Sequence, residues 1–289
     1  MNLDWIVNDT TYSLDDRVNF YHLKYEGFAH APLHRLSERG PLQNGDTDRG
    51  YRLDPRFIAL KLGIFGIDEA DFYSKRNTLN TIFKASDAAG NLLFSYNSVE
   101  RQLDCYCVEI VPGGRNQLWQ EFVISLKAND PTFYDPDEET VYFGLSGGED
   151  KMEVPTVIPM TVGASSINTS TTVTNEGDVK SYPIIKIIGP TTGPVITNNG
   201  TDDKLDFSGT TIAAGDWYEI DCRYSYKTVV DQDDTNQISK LSDDSDIATF
   251  SFGADPKVAD GVNSVSCTGT GVSSDSKISI RFYNRYIGV

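Results

Sequence analysis

The chain has 289 residues, a net charge of −17 at pH 7 and 39% hydrophobic residues, including 15 Tyr and 14 Phe. That length suits two domains, and that composition can bury cores, which excludes a disordered chain. No apolar run is long enough to span a membrane, the opening MNLDWIVNDTTYSLDD lacks the basic-then-apolar pattern of a secretory signal, and acidity in both halves argues against a nucleic-acid reader; assembly in a cytoplasm is the expectation.

In chain order, WIVN and VNFYHLKYEGFA read as strands. Residues 28–55 hold several Pro and Gly breaks and many charges, too long for a plain loop, and suit an extended arm or β-hairpin that leaves the domain body. RFIALKLGIFGI follows as a strand, with Phe57, Ala59, Leu60 and Leu62 as its apolar set and Arg56 and Lys61 read as exposed. Residues 69–84 are the best helix, with Phe72, Leu79, Ile82 and Phe83 near one face, acids in the first turn and Lys84 in the last. AAGNLLFSY reads as a turn at Gly90-Asn91 into a strand, and LDCYCVEIVPGG and LWQEFVISLKA as a hairpin turning at Pro-Gly-Gly-Arg-Asn. The Pro- and acid-rich stretch 130–140 and the LSGGEDKME run after it place a domain boundary near residue 148.

The second half reads as about ten short strands with turns between them, an antiparallel β-sandwich. The strands are VPTVIPMTV, STTVTN, YPIIKII, PVITN, KLDFS, DWYEIDC, YKTVV, IATFSF, VNSVSC and KISIRFY, the last alternating with Ile278, Ile280 and Phe282 inward.

A search for chemistry selects no catalytic residue, no metal ligand set and no cofactor site. His22, His30 and His34 are the three histidines, and Pro32 breaks the helix that a His30/His34 metal pair needs. Cys105 and Cys107 lie two apart on one strand face, which is neither a redox nor a zinc spacing; with Cys222 and Cys267 they read as buried free thiols. DQDDTNQ offers oxygens to Ca²⁺ but lacks the Gly and terminal Glu of an EF-hand loop. The pairs Gly113-Gly114 and Gly147-Gly148 are turn glycines with no helix behind them to cradle phosphate. One basic set stands out: Arg35, Arg39, Arg49, Arg52 and Arg56, with Tyr51 interleaved. It reads either as ordinary solvated charge or as an interface pairing with the acidic surface of a neighbouring copy, in which case Arg35, Arg39 and Arg49 changed to Glu should weaken self-association.

Several stretches resemble the distal tail proteins of siphophages. They are APLHRLSERGPLQNGDTDRGYRLDPRFIALKLGIFG, SKRNTLNTIFK, SLKANDPTFYDP, NEGDVKSYPIIKIIGPTTGPVITN and AAGDWYEIDCRYSYKTV, in that order and spacing. The resemblance implies a mainly β protein of two domains. Residues 1–147 would be a β-sandwich-like, ring-forming domain with one helix and a projecting arm, and residues 148–289 a galectin-like β-sandwich. In some relatives the last strand returns to the first domain, which would assign 278–289 to it here. The resemblance further implies a non-enzymatic, hexameric ring at the tail tip of the virion. Its partners would be the tail tube protein, a tail-tip or baseplate hub protein and the tape measure protein. For such a ring, the charge of −17 suggests an acidic lumen that keeps passing DNA from sticking. A carbohydrate-binding module for host recognition is the alternative. It needs an exposed aromatic platform, and Trp217 is the one Trp available in the second half.

Overall fold

The computed structural model describes residues 2–144 and 166–289. The expected strand VPTVIPMTV and the pair Gly147-Gly148 lie outside the described residues. Two compact units are present: Met1–Pro136 with Tyr286–Val289, and Asp137–Arg285.

The strands of unit 1 are β1 (Asn2–Val7), β2 (Thr10–Ser13), β3 (Tyr21–Glu26), β4 (Leu33–Glu38), β5 (Thr47–Leu53), β6 (Arg56–Phe65), β7 (Gly90–Tyr96), β8 (Val99–Asn116), β9 (Trp119–Ala128) and β10 (Phe133–Tyr134), with helix α1 (Glu69–Ile82) between β6 and β7. The main sheet runs β2-β1-β7-β8-β9-β6-β3, with β10 on β8, and β4-β5 form a separate two-stranded sheet. The long β8 is shared. Its first part pairs β7 from Val99↔Tyr96 to Cys105↔Gly90, and its second part pairs β9 from Tyr106↔Lys127 to Asn116↔Trp119. Both parts close over one core that includes Leu3, Trp5, Phe28, Ile58, Leu60, Leu62, Leu103, Ile124 and Phe133.

Three local readings change. The Pro-Gly-Gly stretch is no hairpin tip: it lies inside β8 as a register shift between Pro112 and Arg115, and the turn falls at Gln117, whose φ is 52°. Gly90-Asn91 is already strand, and the tight turn between β7 and β8 is Asn97-Ser98, both at positive φ as a type I′ turn requires. Gly90 serves packing instead, since a Cβ there would stand 2.1 Å from the Trp5 ring. The helix ends at Ile82, so Lys84 lies beyond it; Asp68 caps its start by accepting the Asp71 N–H, and Phe72, Leu79 and Ile82 face the core.

Unit 2 holds two five-stranded antiparallel sheets. One runs β11 (Glu139–Gly144), β20 (Lys277–Phe282), β13 (Ile184–Ile188), β17 (Trp217–Asp221) and β18 (Thr228–Asp231). The other runs β12 (Ser166–Thr174), β19 (Val262–Thr270), β14 (Thr191–Asn198) and β15 (Lys204–Asp206), with β16 (Thr211–Ile212) also on β14. Ile185, Ile187, Ile196, Phe207, Ile220, Val265, Ile278, Ile280 and Phe282 fill the core between them. IATFSF forms no named strand; it buries Phe250 and Phe252 and makes one isolated bridge, Ser181↔Phe252.

The units divide at Pro136, not near 148. Composition marks 130–140 as linker, but Val141 and Phe143 alternate and pack on the second core, and β11 pairs β20 in register (Val141↔Ile280, Phe143↔Ile278). The return to unit 1 is also shorter than 278–289: β20 belongs to unit 2, and only Tyr286–Val289 join unit 1.

Candidate assembly interface

Strands β4 and β5 form the hairpin, joined in the register Leu33↔Leu53, His34↔Arg52, Arg35↔Tyr51, Ser37↔Asp48 and Glu38↔Thr47. Every residue of β4 is exposed, and neither strand pairs with the main sheet. A lone two-stranded hairpin is marginal in water. Its arginines pair with acids in the hairpin or at its base: Arg35 to Asp48 at 3.2 Å, Arg49 to Glu38 at 2.7 Å, Arg52 to Asp54 at 3.2 Å and Arg39 to Asp46 at 4.0 Å. Such exposed pairs add little stability. The hairpin is therefore not a bare basic patch. It also displays Leu33, Leu36 and Tyr51, with Leu42 at the tip 99% exposed.

The candidates Arg35, Arg39, Arg49, Tyr51 and Arg52 are thus brought together on one exposed element. Arg56 is not among them. It is 1% exposed, whereas its neighbour Phe57 is 62% exposed. The expected orientation of this strand start is inverted, because Arg56 shares the parity of Ile58, Leu60, Leu62 and Ile64, which face the core. Its guanidinium donates to four backbone carbonyls: Gly27 O at 2.6 Å, Ala29 O at 2.7 Å, Pro131 O at 2.7 Å and Ile287 O at 2.6 Å. The Phe133 ring lies 4.6 Å from its Cζ. Burial pulls its pKa down to about 10, still far above neutral, so the group is a cation in the fold. Arg56 stands where β5 hands over to β6, at the root of the hairpin, and Asp54 N–H closes that root on Pro32 O.

The other candidates have local explanations. His30 Nδ1 lies 2.7 Å from Ala31 O, and His34 is exposed on β4. His22 stacks on Tyr25 with a centroid distance of 5.5 Å, and burial holds its pKa below 6.5. Cys105, Cys222 and Cys267 are buried and Cys107 half-buried, all free. The Asp231 carboxylate accepts from the Asp233 and Thr235 N–H groups and from Gln237 Nε2, which commits it to its own turn. Among the described residues no three His, Cys, Asp or Glu side chains stand together as a metal site. Trp217 is half-buried, with Lys186 Nζ 3.4 Å over its ring. Leu42 and the root at Arg56 escaped sequence reasoning. The signals were there: an apolar residue between the breaks of GPLQNG, and the even-numbered parity of β6.

A β domain with a projecting hairpin, followed in sequence by a β-sandwich, defines a class. Residues 21–128, which include the whole hairpin, match the family model of the phage tail protein RIFT-related domain. Over its full length the chain has the fold of the SPP1 Dit protein, described as a paradigm of the hub adsorption apparatus in phages infecting Gram-positive bacteria, with a TM-score of 0.66 at 15% identity and 98% coverage of each chain. A chain of the phage P2 baseplate in its activated conformation with Ca is similar at a TM-score of 0.51 and 10% identity, with 97% of each chain covered. No curated protein sequence matches. Residues 21–128 therefore carry a phage tail RIFT-related domain, and the chain shares the fold of the SPP1 Dit protein.

Proposed function

We propose that this chain is a structural hub of the tail tip: six copies close a ring on the tube axis, with unit 1 and its hairpin making the contacts between copies. The ring joins the tail tube protein to the tail-tip or baseplate proteins, and the tape measure protein is a further contact. The chain acts in the virion, is assembled in the host cytoplasm, and has no catalytic role. The observation that carries this reading is the hairpin, solvent-exposed and apolar at Leu33, Leu36, Leu42 and Tyr51, inside a phage-tail domain. A closed ring needs two different patches of one chain to meet, and an element that leaves the body and offers its strands to a neighbour supplies one of them. The similarity to a protein described as a hub supports the same reading.

Negative-stain microscopy and light scattering of the purified chain test it. Six-fold rings with a central hole and a six-copy mass are expected. A monomer at tens of micromolar, with no rings, would refute it. Leu42→Asp and Tyr51→Ala should reduce the assembled fraction while leaving the circular dichroism of the monomer unchanged.

A further inference from the structure

The root of the hairpin is held from a distant part of the sequence. Its entering leg is Gly27–Pro32 and its exiting leg Asp54–Arg56. Arg56 ties these legs to each other through Gly27 O and Ala29 O, and to the 286–289 segment through Ile287 O. That segment adds bonds of its own to the entering leg: Ala31 N–H donates to Ile287 O at 3.1 Å, and Val289 N–H donates to Phe28 O at 3.1 Å. It is anchored in turn by Tyr286, whose hydroxyl donates to Asp135 Oδ2 at 3.1 Å and whose ring lies 3.6 Å from the Arg101 Cζ. All of these residues belong to unit 1, but 286–289 follow the whole of unit 2 in sequence.

We infer that residues 286–289 are a clasp that fixes the root of the hairpin, so that the hairpin is presented only after unit 2 has been made. Without the segment, Arg56 loses one of its four acceptors, and Phe28 O and Ala31 N–H lose their partners. The entering leg then keeps the Arg56 bonds at Gly27 O and Ala29 O and the Asp54 N–H bond at Pro32 O, but loses both backbone bonds to 286–289, and the hairpin, which has no sheet neighbour among the described residues, moves on a loosened root. The consequence rests on the reading of the hairpin as the contact between copies: a chain still lacking unit 2 does not enter a ring. A clasp encoded after unit 2 therefore keeps incomplete copies out of the assembly.

The test compares the full chain with a chain ending at Arg285, by hydrogen exchange at a dilution that leaves both monomeric. Amides of 33–53 should exchange roughly tenfold faster or more in the shortened chain, while amides of β8 and β9 keep their protection. Val289→Pro removes the N–H donated to Phe28 O while leaving the bonds at Ile287 O and Tyr286 in place, and should move the same hairpin amides in the same direction by less. Unchanged hairpin exchange overturns the clasp. So does an equal loss of protection across the hairpin, β8 and β9, because the segment would then support the whole unit and not the root. At assembling concentration the shortened chain should lose its ring. If its hairpin exchange rises while its assembled mass is unchanged, the clasp stands and the hairpin is not the contact between copies.

Discussion

Arg56→Met is the sharpest single perturbation of unit 1. It replaces a guanidinium with a side chain of similar reach and no donors, leaving Gly27 O, Ala29 O, Pro131 O and Ile287 O without it. Hydrogen bonds from a charged donor contribute about 1.5–3 kcal/mol each, but four on one group are not additive, and the substitution also removes the cost of burying the cation. Each buried carbonyl left unpaired costs about 1–3 kcal/mol, and with the relieved burial of the cation set against the four, a net loss of about 3–5 kcal/mol is expected. With a urea slope of roughly 2 kcal/mol/M, the midpoint of unit 1 should fall by about 1.5–2.5 M. A chain of two units need not unfold in one step, so the probe must be specific to unit 1. Trp5 and Trp119 lie in unit 1 and Trp217 in unit 2, so fluorescence in a Trp217→Phe background reports unit 1 alone. Arg56→Lys keeps the charge but gathers its donors on one nitrogen, which cannot span four carbonyls, and should fall between the two. A midpoint shift in Arg56→Met below roughly 0.5 M would refute the reasoning, because the carbonyls would then be satisfied without the guanidinium.

Three further outcomes follow from the same structure. His22 has a folded pKa below 6.5, so between that value and 6.5 the unfolded chain binds more protons; stability is full above pH 6.5 and falls as the pH drops, and His22→Phe should flatten that slope when urea midpoints at pH 7.5 and 5.5 are compared. Gly90→Ala drives a methyl into the Trp5 ring and should cost about 1–3 kcal/mol, read from the same fluorescence transition; a neutral result would mean that the ring moves aside freely. Burial raises all four thiols and pushes Cys222 and Cys267 up to about 12, so iodoacetamide on the native chain should modify Cys107 first and leave the other three until urea is added, as mass spectrometry of timed samples will show.

Most of the fold was legible where hydrophobic periodicity is strict. KISIRFY alternates, and the structure buries Ile278, Ile280 and Phe282 as its pattern requires. The helix was legible for the same reason, through Phe72, Leu79 and Ile82. The misreadings come from places where a residue's usual role is overruled by tertiary contacts. Pro-Gly-Gly is a common turn signal, but β8 continues through it because Gln120 Nε2 reaches Gly113 O and β9 resumes pairing at Arg115. The acidic stretch before 140 looks like linker, yet Val141 and Phe143 find the second core and draw the boundary back to Pro136. By charge alone Arg56 reads as exposed. The parity of β6 points it inward, and only the fold supplies the four carbonyls that make an inward arginine tolerable.

The hairpin changes how its own interface must be tested. Five arginines in an acidic chain suggest a basic arm seeking an acidic neighbour. In the structure one of the five is buried at the root, and the other four each have an acidic partner within the hairpin or beside its base. Reversing Arg35, Arg39 and Arg49 to Glu would therefore break these internal pairs first and place like charges side by side, so lost assembly in that variant could arise inside a single copy. The groups left for a neighbour are the uncommitted ones: the open backbone edges of β4 and β5, and the apolar side chains of Leu33, Leu36, Leu42 and Tyr51. Leu42→Asp leaves all four ion pairs in place and changes only the tip. If the hairpin docks on a second copy, this substitution should weaken self-association by about 1.5–3 kcal/mol, the burial of one leucine side chain, which is roughly a ten- to hundredfold change in dissociation constant by sedimentation velocity. An unchanged dissociation constant for Leu42→Asp, alongside a weakened one for the charge-reversed variant, would show that hairpin integrity matters to assembly and that its tip touches nothing.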